Sequence, residues 1–156
     1  MANWCNNSVV FNGSDEAIKQ VQKFFQILKA EAENGEHEQL PESLADCFGE
    51  FEDLYWEDEE IGHFQYVTKW SPNIEILQKI AEHFKVVFVL DYDEVGNCVY
   101  GRATFAEGKL TNIFLEYEDF EKYTYDNDKD CYYFEGDKYE SDYQILEILL
   151  EQKIQH

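Results

Sequence analysis

The densest set of residues able to do chemistry lies at Asp126, Asp128 and Asp130, three carboxylates at alternate positions of the run Asp126-Asn127-Asp128-Lys129-Asp130. Alternate oxygens in a turn can converge on a hard cation such as Ca²⁺, which makes these residues the candidate metal site. The run departs from a helix-loop-helix calcium loop. Cys131 stands at the sharp-turn glycine position, and Asp137 rather than a glutamate at the twelfth, which removes the bidentate closing ligand. A solvated polar turn between two aromatic strands accounts for the same residues. A calcium-dependent module or enzyme using the Asp126 to Asp130 turn is the alternative functional reading.

Other reactive side chains form no recognisable constellation. Cys5, Cys47, Cys98 and Cys131 are widely separated, so no pair has the spacing of a zinc knuckle or redox motif, and they read as reduced thiols. His37, His63, His83 and His156 lack the paired helical spacing of metal ligands, and His83 falls near the end of a helix, where it favours the dipole. A serine or cysteine nucleophile needs a base within hydrogen-bond reach, and no glycine-flanked serine elbow occurs; arithmetic alone pairs Cys5 with any histidine. Phosphate-cradling glycine loops are missing from a chain with 8 glycines. No catalytic residue and no cofactor is expected.

Charge is more informative. The 156 residues hold 34 Asp plus Glu against 12 Lys plus Arg, a formal charge of -22. Such a field repels nucleic-acid phosphates and anionic lipids and attracts cations, so direct DNA, RNA or membrane binding is not expected. A basic protein, such as a nucleic-acid-binding protein, is the expected partner. Trp70, Tyr123, Tyr125, Tyr132 and Tyr133 are the candidate contact residues, since aromatic rings beside acids offer contact area and cation-π attraction. In its sharpest form the protein is a DNA mimic, with carboxylates in place of phosphates. A solubilising surface, or an oligomer joined through a sheet edge, are the rival readings. The opening residues lack a basic and apolar leader, and no run of 18 apolar residues occurs, so a cytoplasmic location is expected.

The elements that position these residues follow from periodicity. Ser8 to Asn12 is a strand running through Gly13 and Ser14 into a helix whose stripe is Ile18, Val21, Phe24, Phe25 and Leu28. Residues 33 to 50, with Asn34-Gly35 and Pro41, break the pattern and read as an inserted, mobile excursion. Asp53 to Trp56 and Gly62 to Trp70 suggest a hairpin, and Ser71-Pro72 reads as the cap and first turn of a second helix carrying Ile74, Leu77, Ile80, Ala81 and Phe84. Val86 to Leu90 is an apolar strand. A hairpin follows around Glu107-Gly108-Lys109, then two aromatic strands flanking the aspartate run, then a terminal helix capped by Asp142.

The expected fold is therefore α+β, a ferredoxin-like split β-α-β sandwich with an antiparallel sheet, extended by an extra C-terminal hairpin and a terminal helix. Enough apolar area is present for a core, because a chain of this length buries roughly 68 to 70% of its unfolded surface. One domain, residues 1–156, is expected, with the insertion at about 33–50 and the extension from about 118.

Three blocks carry a family resemblance. Met1-Ala2-Asn3-Trp4-Cys5-Asn6-Asn7 with its strand and Gly13, then Phe64 to Pro72 including Thr68-Lys69-Trp70-Ser71-Pro72, then Val86 to Gly108 with Gly96, Tyr100 and Gly101, resemble the YubB-like ferredoxin-fold domains of phage- and plasmid-borne proteins. The resemblance spans roughly residues 1–117. It implies a split β-α-β fold and a mobile-element setting, and it carries over no catalytic residues.

Overall fold

A computed structural model describes residues 3–35 and 40–156, so Met1 and Ala2 of the opening block, and His37, lie outside the described residues. β1 (Trp4–Asn12) alternates strictly, with Cys5, Asn7, Val9 and Phe11 turned into the core. Ser14 then caps α1 (Asp15–Asn34): its side chain accepts the Ala17 N–H, and Asp15 and Glu16 sit at the positive end of the dipole. Gly35, at φ 67°, closes the helix with its N–H on the Glu31 carbonyl.

β2 (Glu52–Tyr55), β3 (His63–Lys69), α2 (Ile74–Phe84) and β4 (Val87–Glu94) complete the β-α-β-β-α-β plan, and β5 (Val99–Ala106) and β6 (Lys109–Phe114) extend it. The six strands lie in the order β2-β3-β1-β4-β5-β6 with every neighbouring pair antiparallel. This is the expected ferredoxin-like α+β sheet, widened by one hairpin. On its inner face Phe25 of α1 stacks on Phe64 of β3 at 3.9 Å, and Phe11 meets Phe25, Phe64 and Phe88 within 6.1 Å. Gly101 is required there. A Cβ at this position would lie 2.6 Å from Tyr92 Cζ and 2.9 Å from Phe114 Cβ, because the Tyr92 ring lies across it.

Several boundaries differ from expectation. Ser71 does not cap α2; its carbonyl accepts the Thr68 hydroxyl at 2.7 Å, and the helix opens at Ile74 after Asn73. The Asn73 side chain is turned away from the helix, accepting the Tyr66 hydroxyl at 2.6 Å and donating to the Glu50 carbonyl at 3.0 Å. The excursion after α1 is tied down in its described part. A 3-10 helix over Glu42–Cys47 buries Leu44 and Cys47 in the inner core beside Leu40, because that short apolar set caps the helix layer.

Beyond β6, α3 (Tyr117–Phe120) leads to a second sheet of three strands, β7 (Thr124–Asp126), β8 (Cys131–Phe134) and β9 (Asp137–Tyr139), one more than the aromatic pattern suggests. The added strand arises because Glu135-Gly136 takes positive φ at both residues, the conformation of a tight hairpin turn. α4 (Asp142–Ile154) is capped by Ser141 rather than Asp142, in a reciprocal capping box with Gln144. Its Ile145, Leu146, Leu149 and Leu150 bury with Leu115 and Phe134 in a second cluster, to which β5 and β6 add Tyr100 and Ile113 from the outer face of the main sheet.

Candidate functional site

α4 covers only part of that outer face, and the part it leaves carries a cavity of about 520 Å³. Its floor follows from register. Tyr55, Gln65, Ser8 and Asp91 form one row across β2, β3, β1 and β4, and Val67, Asn6 and Asp93 form the next. A period of two sends these residues to the face opposite Phe64, Tyr66 and Leu90. Asp53 joins them from a bulge, where the β2-β3 register shifts and Asp53 adopts φ 53°. Bulges re-aim side chains in this way.

Asp53, Asp91 and Asp93 line the cavity beside Tyr55, Asn6, Ser8 and Gln65, and no lysine or arginine lines it. Polar contacts hold the floor in place. The Tyr55 hydroxyl donates to Gln65 Oε1, Asn6 Nδ2 donates to Asp93 Oδ1 at 3.3 Å, and the Tyr143 hydroxyl donates to the same oxygen at 3.0 Å. Burial together with Asp93 pushes the Tyr143 phenol up to about 12, so it stays a neutral donor.

At the border with α4, Arg102 reaches Asp91 at 2.6 Å, Glu151 at 2.9 Å and Glu147 at 3.1 Å. Partial burial works against its charge, yet the hydrogen bonds it donates to Asp91 and Glu151 outweigh that and raise its pKa further. Beside the cavity, His63 of β3 sits diagonally across from Ser8, with Nε2 2.7 Å from Ser8 Oγ and Nδ1 2.8 Å from Glu60 Oε2.

The sequence-derived candidates fall elsewhere. Tyr123, Tyr125 and Tyr132 gather on the small sheet, with ring centroids 6.0 and 4.9 Å from Tyr132. Tyr133 belongs to the same strand as Tyr132 and points to the other side, while Trp70 is exposed at the end of β3 in the main sheet. Asp126, Asp128 and Asp130 do not converge. Asp126 Oδ1 accepts the backbone N–H groups of Asp128 and Lys129 at 3.0 and 3.3 Å, an aspartate turn, and Asp130 accepts the Tyr125 hydroxyl. Among the described residues no group of three His, Cys, Asp or Glu is placed to hold a metal ion.

Cys5 lies on the inner face, away from His63, and burial pushes its thiol up to about 11. Cys47 is pushed up to about 12 by the same cause, and all four cysteines are unpaired. The alternation Asp91-Tyr92-Asp93 in β4, and Ser8 and His63 at outward positions of β1 and β3, were the available signals of the outer-face site.

Residues 51–135 match the family model described as the ferredoxin-like domain in Api92-like protein, and this stretch covers more than half of the chain. The chain belongs to that family. Comparison with curated proteins and with solved structures returned no match. The family segment runs from just before β2 to the turn after β8, so it holds Tyr55, Gln65, Asp91 and Asp93 of the cavity, while Asn6 and Ser8 come from β1 outside it. No helix among the described residues is long and apolar enough to cross a membrane.

Proposed function

We propose that the protein is an acidic interaction module that takes a cationic segment of a basic protein partner on the outer face of its main sheet. The observation that carries this reading is the cavity lined by Asp53, Asp91 and Asp93 with no basic residue in its lining, Asp91 alone of the three being paired to Arg102 at the border, set in a chain of formal charge -22. Its volume lies in the range of sites that enclose a side chain or small ligand, and Tyr55 adds an exposed ring for a lysine or guanidinium group. A basic nucleic-acid-binding protein fits this chemistry, with the carboxylates standing where DNA phosphates would. The reading places the protein in the cytoplasm and in a phage or plasmid setting, the latter supported by the resemblance of its opening segment to YubB-like domains.

Titration with a lysine- and arginine-rich peptide tests the reading. Binding should weaken as salt rises, and Asp53→Asn should weaken it about fivefold, the scale of one partly exposed ion pair. Glu75→Gln and Glu82→Gln on α2, on the other side of the sheet, should leave it unchanged. Equal losses for the two sets would mean that charge alone, without a site, accounts for the binding.

A further inference from the structure

Ser8, His63 and Glu60 form a hydrogen-bonded series that the binding reading does not use. Ser8 Oγ is 2.7 Å from His63 Nε2, and His63 Nδ1 is 2.8 Å from Glu60 Oε2. Hydroxyl, imidazole and carboxylate stand in the order and through the ring nitrogens that acyl-transfer enzymes use on unrelated folds. The series is held by the fold. β1 and β3 place the two side chains on one face, two residues apart in register, since Ser8 pairs with Gln65 and His63 with Val10. The backbone of Gly62, at φ 84°, donates to Gln22 Oε1 and accepts the Phe11 N–H, which fixes the turn that carries Glu60 against the start of β3. The His63 N–H closes the same turn on the Glu60 carbonyl at 3.3 Å. Ser8 also lines the acidic cavity, so its hydroxyl faces space that a substrate can enter.

We propose that Ser8 is a nucleophile, with His63 as its general base and Glu60 as the positioning residue, for hydrolysis of esters that carry a cationic group. Ser8 Oγ attacks the carbonyl carbon while its proton passes to His63 Nε2, and Glu60 stabilises the imidazolium through Nδ1–H. The tetrahedral adduct collapses, the bond to the leaving oxygen breaks, and that oxygen takes the proton from Nε2. Water then gives a proton to His63 and attacks the acyl-Ser8 ester, releasing the carboxylic acid and returning the Ser8 hydroxyl. Because β1 is central and paired on both sides, its backbone N–H groups serve the sheet, and side-chain amides must meet the developing oxyanion. Gln65 is placed for this: it pairs with Ser8, and with its Oε1 taken by the Tyr55 hydroxyl its Nε2 is the remaining donor. The preference for a cationic substrate rests on the acidic-cavity reading; the nucleophile does not.

The test is labelling of the intact chain with a fluorophosphonate, followed by mass mapping, together with turnover of p-nitrophenyl esters of acetyl-arginine and acetyl-glutamate. Label should fall on Ser8. His63→Gln should slow labelling by about 10²-fold or more, the usual worth of a general base. Glu60→Gln should lower kcat and leave KM in place, which a merely structural contact would not do. The arginine ester should turn over about tenfold faster. No label on Ser8, or a labelling rate indifferent to His63→Gln, overturns the nucleophile and leaves peptide binding standing. Label on Ser8 with equal ester rates overturns the cationic preference and counts against the acidic site.

Discussion

The inner and outer faces of the six-stranded sheet come from alternate residues of the same strands and are built to opposite ends. Inward, Phe11, Phe25, Phe64 and Phe88 exclude water in a continuous layer under α1 and α2. Outward, cover is partial: α4 packs an apolar cluster on one half and is fastened to the sheet through Glu147 and Glu151 on Arg102, which also holds Asp91. Beyond it Asp53, Asp93, Ser8 and His63 line an open, polar half. Apolar packing is concentrated on the inner face and under α4, which leaves the uncovered half of the outer face free to carry charges and a hydrogen-bonded hydroxyl at small cost to folding. Binding and chemistry are drawn from such low-density regions for that reason.

Four substitutions or conditions grade this contrast. Phe64→Ala, which removes a fully buried ring from the inner stack, should cost about 3 to 5 kcal/mol in urea unfolding. Arg102→Met should cost roughly 2 to 3 kcal/mol, less than for a fully buried pair because the guanidinium is about a quarter exposed. Added salt should recover part of it, since the loss comes from Asp91, Glu147 and Glu151 left facing one another.

Asp119 gives a third measure, at the outer edge near α4. Burial alone would raise its carboxyl, but Lys122 at 2.8 Å, Lys153 at 2.6 Å and the Glu116 N–H hold it down to about 2. A depressed folded-state pKa adds stability that is complete above the ordinary carboxylate range and is lost as pH falls from about 4 towards 2. Acid unfolding should therefore lose roughly 2 kcal/mol in this window through Asp119, and Asp119→Asn should flatten that part of the curve. The smallest effect belongs to the cavity. Asp53→Asn should change stability by less than about 0.5 kcal/mol, because asparagine tolerates the same left-handed backbone, while peptide affinity falls. A large stability loss there would erase the distinction between the faces.

Local pattern by itself determined much of this protein. The stripe Ile18 to Leu28, the alternation Phe64-Tyr66-Thr68 and the apolar start of β4 determine helix, strand and inward face, because each signal lies within neighbours along the chain. The order of those elements leads to the split β-α-β sheet, and the charge of -22 belongs to composition alone. Tertiary structure decided the rest. The Asn73 side chain turned from its helix because Tyr66 on the preceding strand and Glu50, 23 residues away in sequence, offered it partners. The prominent aspartate run closed on its own backbone, whereas Ser8 and His63, 55 residues apart, met through strand register. Which half of the outer face stays open was decided by where α4 docks. A period of two tells which side a residue faces, but only the pairing of strands and the packing of a distant helix tell which residues share that side and whether water reaches them.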